Sequence, residues 1–259
     1  MSIPMIEQIP IFVINLPTSI ERRSAIEKDA ERLNIKLSII DAIDGRLIKD
    51  HSDLGYSKQA NRKEYGRLLT PGEIGCYASH LKAAKSVLEC NAPYAIVLED
   101  DAKLDQPFRD FLECAEQIVN AVPETASLIN ICNTAPPKKR SKNILANEQY
   151  SYSLHDTFEF PTVARGLFWF RNGASDFVKE GRTIAKPVDH YFKDWLTRQS
   201  GGYCLGEPVI GSHGFASDIG SGTGRKELSF REGLRYDIAR GKRDFLNDLH
   251  MIKRRLVKK

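Results

Sequence analysis

Three consecutive carboxylates, Glu99-Asp100-Asp101, follow directly on the apolar run Pro93-Tyr94-Ala95-Ile96-Val97-Leu98. A short apolar run closed by polar residues reads as a buried strand. In open α/β sheets, ligands collect beyond the carboxyl ends of the strands, so these carboxylates belong in such a crevice. Adjacent like charges repel one another, and a compact acidic cluster calls for a cation. All-oxygen ligands suit Mg2+ or Mn2+ rather than zinc. Such an ion can bridge the two phosphates of a nucleotide and stabilise them as a leaving group. The competing reading is a solvated acidic turn at a strand end. The cysteines (Cys76, Cys90, Cys114, Cys132 and Cys204) are odd in number, scattered, and free of any Cys-x-x-Cys pair. They suggest neither a zinc site nor a disulfide framework, and most read as buried small hydrophobes.

The segments around the triplet must hold it in place. Ile11-Phe12-Val13-Ile14-Asn15 is an apolar, β-branched run ending in a turn at Pro17, which predicts a buried strand. A helix follows, capped by Thr18 or Ser19, with Ile20, Ala25, Ile26, Ala30 and Leu33 along one side. Leu37 to Ile40 gives a second strand, closed by Asp41-Ala42-Ile43-Asp44-Gly45. Strand, helix, strand in this order points to a parallel sheet with right-handed crossovers. Asp50 to Arg67 is polar and aperiodic and reads as a surface loop. Thr70-Pro71-Gly72-Glu73 carries a cap, an N1 proline and an early acid, so a helix is expected from there to about Cys90. A helix over about Phe108 to Ala121, a strand at Leu128 to Cys132 and a long loop from Asn133 to Asn147 come next. Strands at Gly166 to Phe170 and Cys204 to Ile210 enclose helices around Gly173 to Ile184 and Asp189 to Arg198.

The chain has 259 residues, 41% of them apolar, enough for a continuous core without staples. Its net charge of +4 is unevenly spread. Residues 219–259 hold 12 Lys/Arg against 5 Asp/Glu, leaving 26 against 29 in the rest. A body without positive excess disfavours nucleic acid as a partner. Met1 to Pro10 shows neither a basic start nor a small-residue cleavage site, and no apolar run approaches the roughly 20 residues that span a bilayer. A reduced, cytoplasmic setting is the expectation.

Several segments in order resemble one known family. Ile11 to Leu16 followed by Glu21-Arg22-Arg23 looks like its opening strand and Asn-Leu…Arg-Arg element, and Asp41 to Gly45 its second motif. Leu69-Thr70-Pro71-Gly72-Glu73-Ile74-Gly75-Cys76 with Ser79-His80 is the most specific signature. Leu98 to Asp101, Pro187-Val188-Asp189-His190 and Ser217-Asp218-Ile219 complete the order. The chain is similar to glycosyltransferase family 25, the lipooligosaccharide β-galactosyltransferase type, whose catalytic module also occurs in collagen galactosyltransferases. The resemblance implies a GT-A-like, Rossmann-type mixed and mainly parallel sheet flanked by helices. It also implies a UDP-sugar donor, a divalent metal (Mn2+, with Mg2+ as the alternative) and inversion at the sugar carbon. One departure is Gly166-Leu167-Phe168-Trp169-Phe170, where relatives tend to carry a tyrosine.

Under that resemblance, transfer needs a base for the acceptor hydroxyl and a cation for the departing diphosphate. Asp189 is the first candidate base and also a plausible helix cap; Glu73 is the second. The metal would fall to Asp101 with Glu99 or Asp100, and to His213 as a third ligand from the C-terminal segment. Asn15, Leu16, Arg22, Arg23, Asp41 and Gly45 map to the ends of the first two strands and would meet the nucleotide, with Asp100 and Asn130 reaching the same crevice. Ser79 and His80 read as hydrogen-bonded supports.

The division expected is a catalytic domain over residues 1–218 and a basic helical extension over 219–259. In that extension Phe245, Leu249, Ile252 and Leu256 form an amphipathic stripe beside Lys253, Arg254, Arg255, Lys258 and Lys259. The stripe reads first as docking against the catalytic domain. The second reading is a peripheral hold on anionic lipid at the cytoplasmic face, where a lipid-linked lipooligosaccharide or lipopolysaccharide core acceptor sits. Galactose is favoured over glucose as the hexose. The rivals are a metal-dependent phosphoryl or nucleotidyl transferase and a catalytically silent binder of sugar nucleotides or nucleic acid.

Overall fold

Strand β1 (Ile11–Asn15) forms where the first apolar run predicts it, and helix α1 (Ile20–Leu33) returns the chain to strand β2 (Ser38–Asp41) in parallel beside it. The computed structural model describes residues 9–133, 139–145, 151–215 and 229–257. After β2 come helices α2 (Lys58–Glu64) and α3 (Pro71–Glu89), strands β3 (Tyr94–Glu99) and β4 (Ala102–Leu104), and helices α4 (Gln106–Glu113) and α5 (Ala115–Ala121). Strands β5 (Leu128–Asn130), β6 (Lys139–Leu145), β7 (Ser151–Thr157) and β8 (Gly166–Phe170) lead into helices α6 (Arg171–Glu180) and α7 (Val188–Gln199). Strands β9 (Gly202–Leu205) and β10 (Ile210–Ser212) and helix α8 (Phe230–Val257) complete the described chain.

Among the described residues the main sheet runs β2-β1-β3-β8-β5-β9-β7-β6. The pairings β1 with β2, β1 with β3 and β5 with β9 are parallel, while β8 and β7 run against both of their neighbours. Six of the eight strands therefore point one way, as expected of a mixed, mainly parallel sheet. Side chains alternate across it: Ile96 and Leu98 of β3 enter a core with α1, α4 and α5, whereas Ala95 and Val97 enter a second with α3, α6 and α7. Helices on both faces leave the carboxyl ends of the parallel strands open for a ligand.

Helix α3 begins with a full capping box. Thr70 Oγ1 accepts from Glu73 N at 3.1 Å, and Glu73 Oε2 accepts from Thr70 N at 2.8 Å. Two close glycines seat its first turn on the loop after β2: a Cβ on Gly75 would lie 2.4 Å from the Ile43 carbonyl oxygen, and one on Gly45 would lie 1.9 Å from that of Pro71. Bare backbone is what lets these segments meet.

Several expectations need correction. The stretch from Asp50 to Arg67 is ordered by a short 3-10 turn (His51–Leu54) and α2, pinned by buried Asn61 donating to Ala185 O at 2.8 Å. The expected helix over Phe108 to Ala121 breaks at Cys114 into α4 and α5. The segment read as a long loop contributes β6, which pairs antiparallel with β7. The strand expected at Cys204 to Ile210 is two strands, β9 and β10, and β10 pairs with β4, which polar flanking residues had concealed. The proposed boundary after residue 218 lies outside the described residues.

Helix α8 docks, but not through its apolar stripe. Asn247 Nδ2 donates to Asp194 at 2.9 Å, Arg243 to Glu64 O at 2.7 Å and Arg254 to Asp156 at 2.8 Å, while Ala239 and Met251 are buried. Two residues along a helix are about 200° apart, so Phe245 and Leu249 face away from Arg243 and Asn247. Phe245, Leu249, Ile252 and Leu256 are 61%, 46%, 54% and 68% exposed. The polar seam makes the contact and the stripe is left to solvent. Among the described residues no helix is long and apolar enough to cross a membrane.

Candidate active site

The end of β3 delivers Glu99, Asp100 and Asp101 to the wall of a cavity of about 370 Å3. The ends of β1 and β2 supply Ile14, Leu16, Ala42, Ile43, Asp44 and Gly45, α1 supplies Arg22, and Arg165 reaches in from the start of β8. A second cavity of about 390 Å3 is lined by Tyr65, Arg67, Glu73, Thr162, Val163, Ala164, Pro187, Val188, Asp189 and His190. Cys76 and Glu99 line both, so the two spaces meet at this pair.

The three carboxylates of the triplet differ in their surroundings. Asp100, 6% exposed, accepts from Asn15 Nδ2 at 2.8 Å and from Arg22 Nη1 at 2.9 Å. Burial still pushes its pKa up, outweighing those two donors. Asp101 accepts from Arg165 Nε at 3.0 Å through Oδ2, while its buried Oδ1 has no hydrogen-bond partner. An anionic oxygen left bare in this way fits a metal ligand. Glu99 pairs through Oε1 with His80 Nε2 at 3.1 Å and keeps its carboxylate partly open to the cavity. Asp101 and Glu99 thus suit a hard divalent ion, and Asp100 is already neutralised by Arg22.

Asp189 stands in the first turn of α7, with Oδ1 accepting from His190 N at 2.8 Å. Burial pushes its carboxyl above the ordinary value of 3.8, and the charges of Glu99 and Glu73 act in the same direction. Burial lowers the pKa of neighbouring His190. Glu73 has a different setting: Arg67 grips both of its oxygens while Thr70 N holds Oε2. A carboxylate so occupied is the poorer base of the two, and its evident work is to start α3.

The expected nucleotide residues divide. Leu16, Arg22, Gly45 and Asp100 line the first cavity, and Asn15 acts behind it by holding Asp100. Arg23 does not join them, because it turns outward and pairs with Glu27 at 2.9 Å. Asp41 is also outside the cavity: it is exposed and gives only its carbonyl to Lys82 Nζ at 2.7 Å. Asn130 is fully buried and donates to Val163 O at 2.6 Å, so it braces the loop of the second cavity instead of reaching the crevice. His213 donates its backbone N–H to Asp101 O at 2.9 Å, yet its ring Nε2 sits 2.9 Å from Asp29. Its imidazole is therefore not gathered with the triplet. Ser79 is a support, donating to Gly75 O at 2.7 Å and accepting from Ile43 N at 2.8 Å. Ser217-Asp218-Ile219 lies outside the described residues. Arg165 and Asp44 were missed; a lone arginine before a strand and an acid in a turn carry no distinctive spacing.

Carboxylates at strand ends beside a cavity, in a mainly parallel sheet with helices on both faces, define an α/β protein of the GT-A-like kind. The family described as glycosyltransferase family 25 (LPS biosynthesis protein) matches residues 8–192, and the chain belongs to it. It is 31% identical over 107 residues to procollagen galactosyltransferase 1-B of Xenopus laevis, covering 40% of this chain and 18% of that protein. Procollagen galactosyltransferase 2 of Mus musculus is 28% identical over 152 residues, 55% of this chain and 24% of that one. Inactive glycosyltransferase 25 family member 3 of Homo sapiens is 30% identical over 115 residues, 43% of this chain and 19% of that one. The matched stretches thus cover a quarter or less of each of these relatives.

Proposed function

We propose that this chain transfers a hexose, galactose in preference to glucose, from a UDP-sugar to a lipid-linked lipooligosaccharide or lipopolysaccharide core glycan, with inversion at the anomeric carbon. The observation that carries this reading is the pair of cavities meeting at Glu99 and Cys76, with strand-end carboxylates on one side and Asp189 on the other. The first cavity takes the UDP moiety, with Arg22 and Arg165 keeping the triplet in register. Asp101 and Glu99 would hold Mn2+ or Mg2+, which when bound supplies positive charge against the departing diphosphate. The acceptor lies in the second cavity, where Asp189 takes the proton of its hydroxyl. The freed oxygen attacks the anomeric carbon on the face opposite the diphosphate, through an oxocarbenium-like state. One displacement on the far face inverts the centre. An alcohol gives up its proton reluctantly, so a half-buried base of raised pKa suits the task better than a solvated one.

The outward stripe of α8, flanked by Lys242 and Lys253, suits an anionic lipid surface, and a lipid-linked acceptor would be presented there. The setting proposed is the cytoplasmic face of the inner membrane. The test is purified protein with Mn2+, a panel of UDP-sugars and truncated lipooligosaccharide acceptors, with the products identified by mass and linkage. One acceptor gaining one hexose supports the reading. A nucleotidyl or phosphoryl product would favour the rival transferase. UDP-sugar binding without any product would favour a silent binder, a state that the name of one relative, inactive family member 3, brings into view.

A further inference from the structure

Cys76 and His80 are four residues apart on α3 and so share one face of that helix. That face meets the end of β3, where Glu99 stands. The Cys76 sulfur, a His80 ring nitrogen and a Glu99 oxygen all lie within 4.8 Å of one another, and among the described residues this is the one such three-residue group. His80 is 1% exposed and its Nδ1 has no hydrogen-bond partner, so among the described residues the ring is held by Glu99 through Nε2. Asp189 shares the second cavity with Cys76 and Glu99, as does Glu73, which is paired with Arg67, so the surroundings of the thiol carry a net negative charge.

We infer that Cys76, His80 and Glu99 form a binding site for a soft or borderline divalent cation, Zn2+ above all, which competes for Glu99 with the hard-cation site proposed at Asp101. Thiolate, imidazole and carboxylate are the zinc donor set, and three protein ligands leave a fourth position open. A shared tetrahedral ion places its donors about 3.5 Å apart, so the three side chains, whose donor atoms lie within 4.8 Å of one another, would draw together around it. The Sγ–metal bond forms as the thiol proton passes to water. The ion would sit where the two cavities meet, with its open position facing them, and would take Glu99 away from a hard cation. This consequence for transfer rests on the function proposed above, whereas the binding itself does not.

The test uses the full chain and Co2+ as the probe, because cobalt bound by thiolate shows a charge-transfer absorption that oxygen and nitrogen ligands do not give. The expected result is one Co2+ per chain with that band, displaced by Zn2+. Cys76→Ser should abolish the band and Glu99→Gln should weaken Zn2+ binding by about tenfold or more. Cys90→Ser, at an exposed cysteine away from the site, and Asp101→Ala should both keep the band. Absence of the band in the wild-type protein, its survival in Cys76→Ser, or its loss in Cys90→Ser would overturn the assignment. Transfer activity is read separately, so an inactive protein that still shows the band would refute the function and leave the site standing.

Discussion

Replacing Asp189 by Asn exchanges one carboxylate oxygen for an amide nitrogen and removes a charge. Asn Oδ1 can still accept from His190 N, so the 2.8 Å bond at the start of α7 survives. The proton acceptor does not. Loss of a general base lowers turnover by about 10² to 10⁴, or about 2.7 to 5.4 kcal/mol in barrier. Stability should move the other way. Burial, then Glu99 and Glu73, raise the carboxyl above its ordinary 3.8. A group whose folded pKa is raised stabilises the fold fully below its unfolded pKa, and that contribution is lost as pH rises through the folded value. Above its folded pKa the ionised Asp189 therefore weakens the fold, and Asn removes that cost. Loss of a negative charge from a helix's first turn opposes this by about 0.3 to 1 kcal/mol. Burial is the largest influence on this carboxyl, and relieving it is expected to give a net gain. Steady-state kinetics with UDP-sugar titration, together with thermal melts from about pH 4 to pH 8, make the assay. The expected outcome is unchanged UDP binding, turnover down at least a hundredfold, and a melting temperature above wild type at neutral pH. That gain should shrink toward acid. Turnover within about tenfold of wild type, or a melting temperature lowered across the range, would refute the reasoning.

Three further variants have expected outcomes. Arg22→Ala leaves buried Asp100 with Asn15 alone, which should cost on the order of 3 kcal/mol in a denaturant melt, partly recovered by adding Asp100→Asn. Asp101→Ala should abolish Mn2+-dependent transfer while the fold persists; full Mn2+-dependent activity would remove Asp101 from the metal site. Replacing Phe245, Leu249 and Ile252 together by Ser alters only exposed positions, so each should shift stability by no more than about 0.5 kcal/mol. The same triple variant should lose pelleting with anionic vesicles, and unchanged pelleting would exclude this stripe as the membrane contact.

The sequence exposes those parts of the fold that follow from local pattern. β1, β3 and β8 are apolar runs, the capping box of α3 sits in Thr70 to Glu73, and the triplet's place at a strand end follows from the run before it. What stays concealed depends on partners distant in the chain. β8 enters between β3 and β5 and runs against both, an order that no local signal encodes. β6 is charged and lies at the sheet edge, so its alternation reads as loop. On α8 the apolar stripe suggests burial, yet Asp194, Glu64 and Asp156 offer hydrogen bonds to the opposite face, and these decide the contact. The same holds at the site. Carboxylates in a row are visible, whereas the diversion of Arg23 to Glu27 and of the His213 ring to Asp29 depends on side chains meeting in space. Cysteine spacing alone argues against zinc, and the donor set proposed for it joins a cysteine and a histidine of α3 to a carboxylate of β3.

The central claim is that donor and acceptor occupy different cavities that meet at Glu99. A crystal structure of the protein with UDP and Mn2+ tests it most directly. The expected density places UDP in the cavity of Leu16, Gly45 and Asp100, with its diphosphate toward Asp101, and leaves the space around Asp189 free for an acceptor. UDP bound against Asp189 and His190, or outside both cavities, would contradict the account.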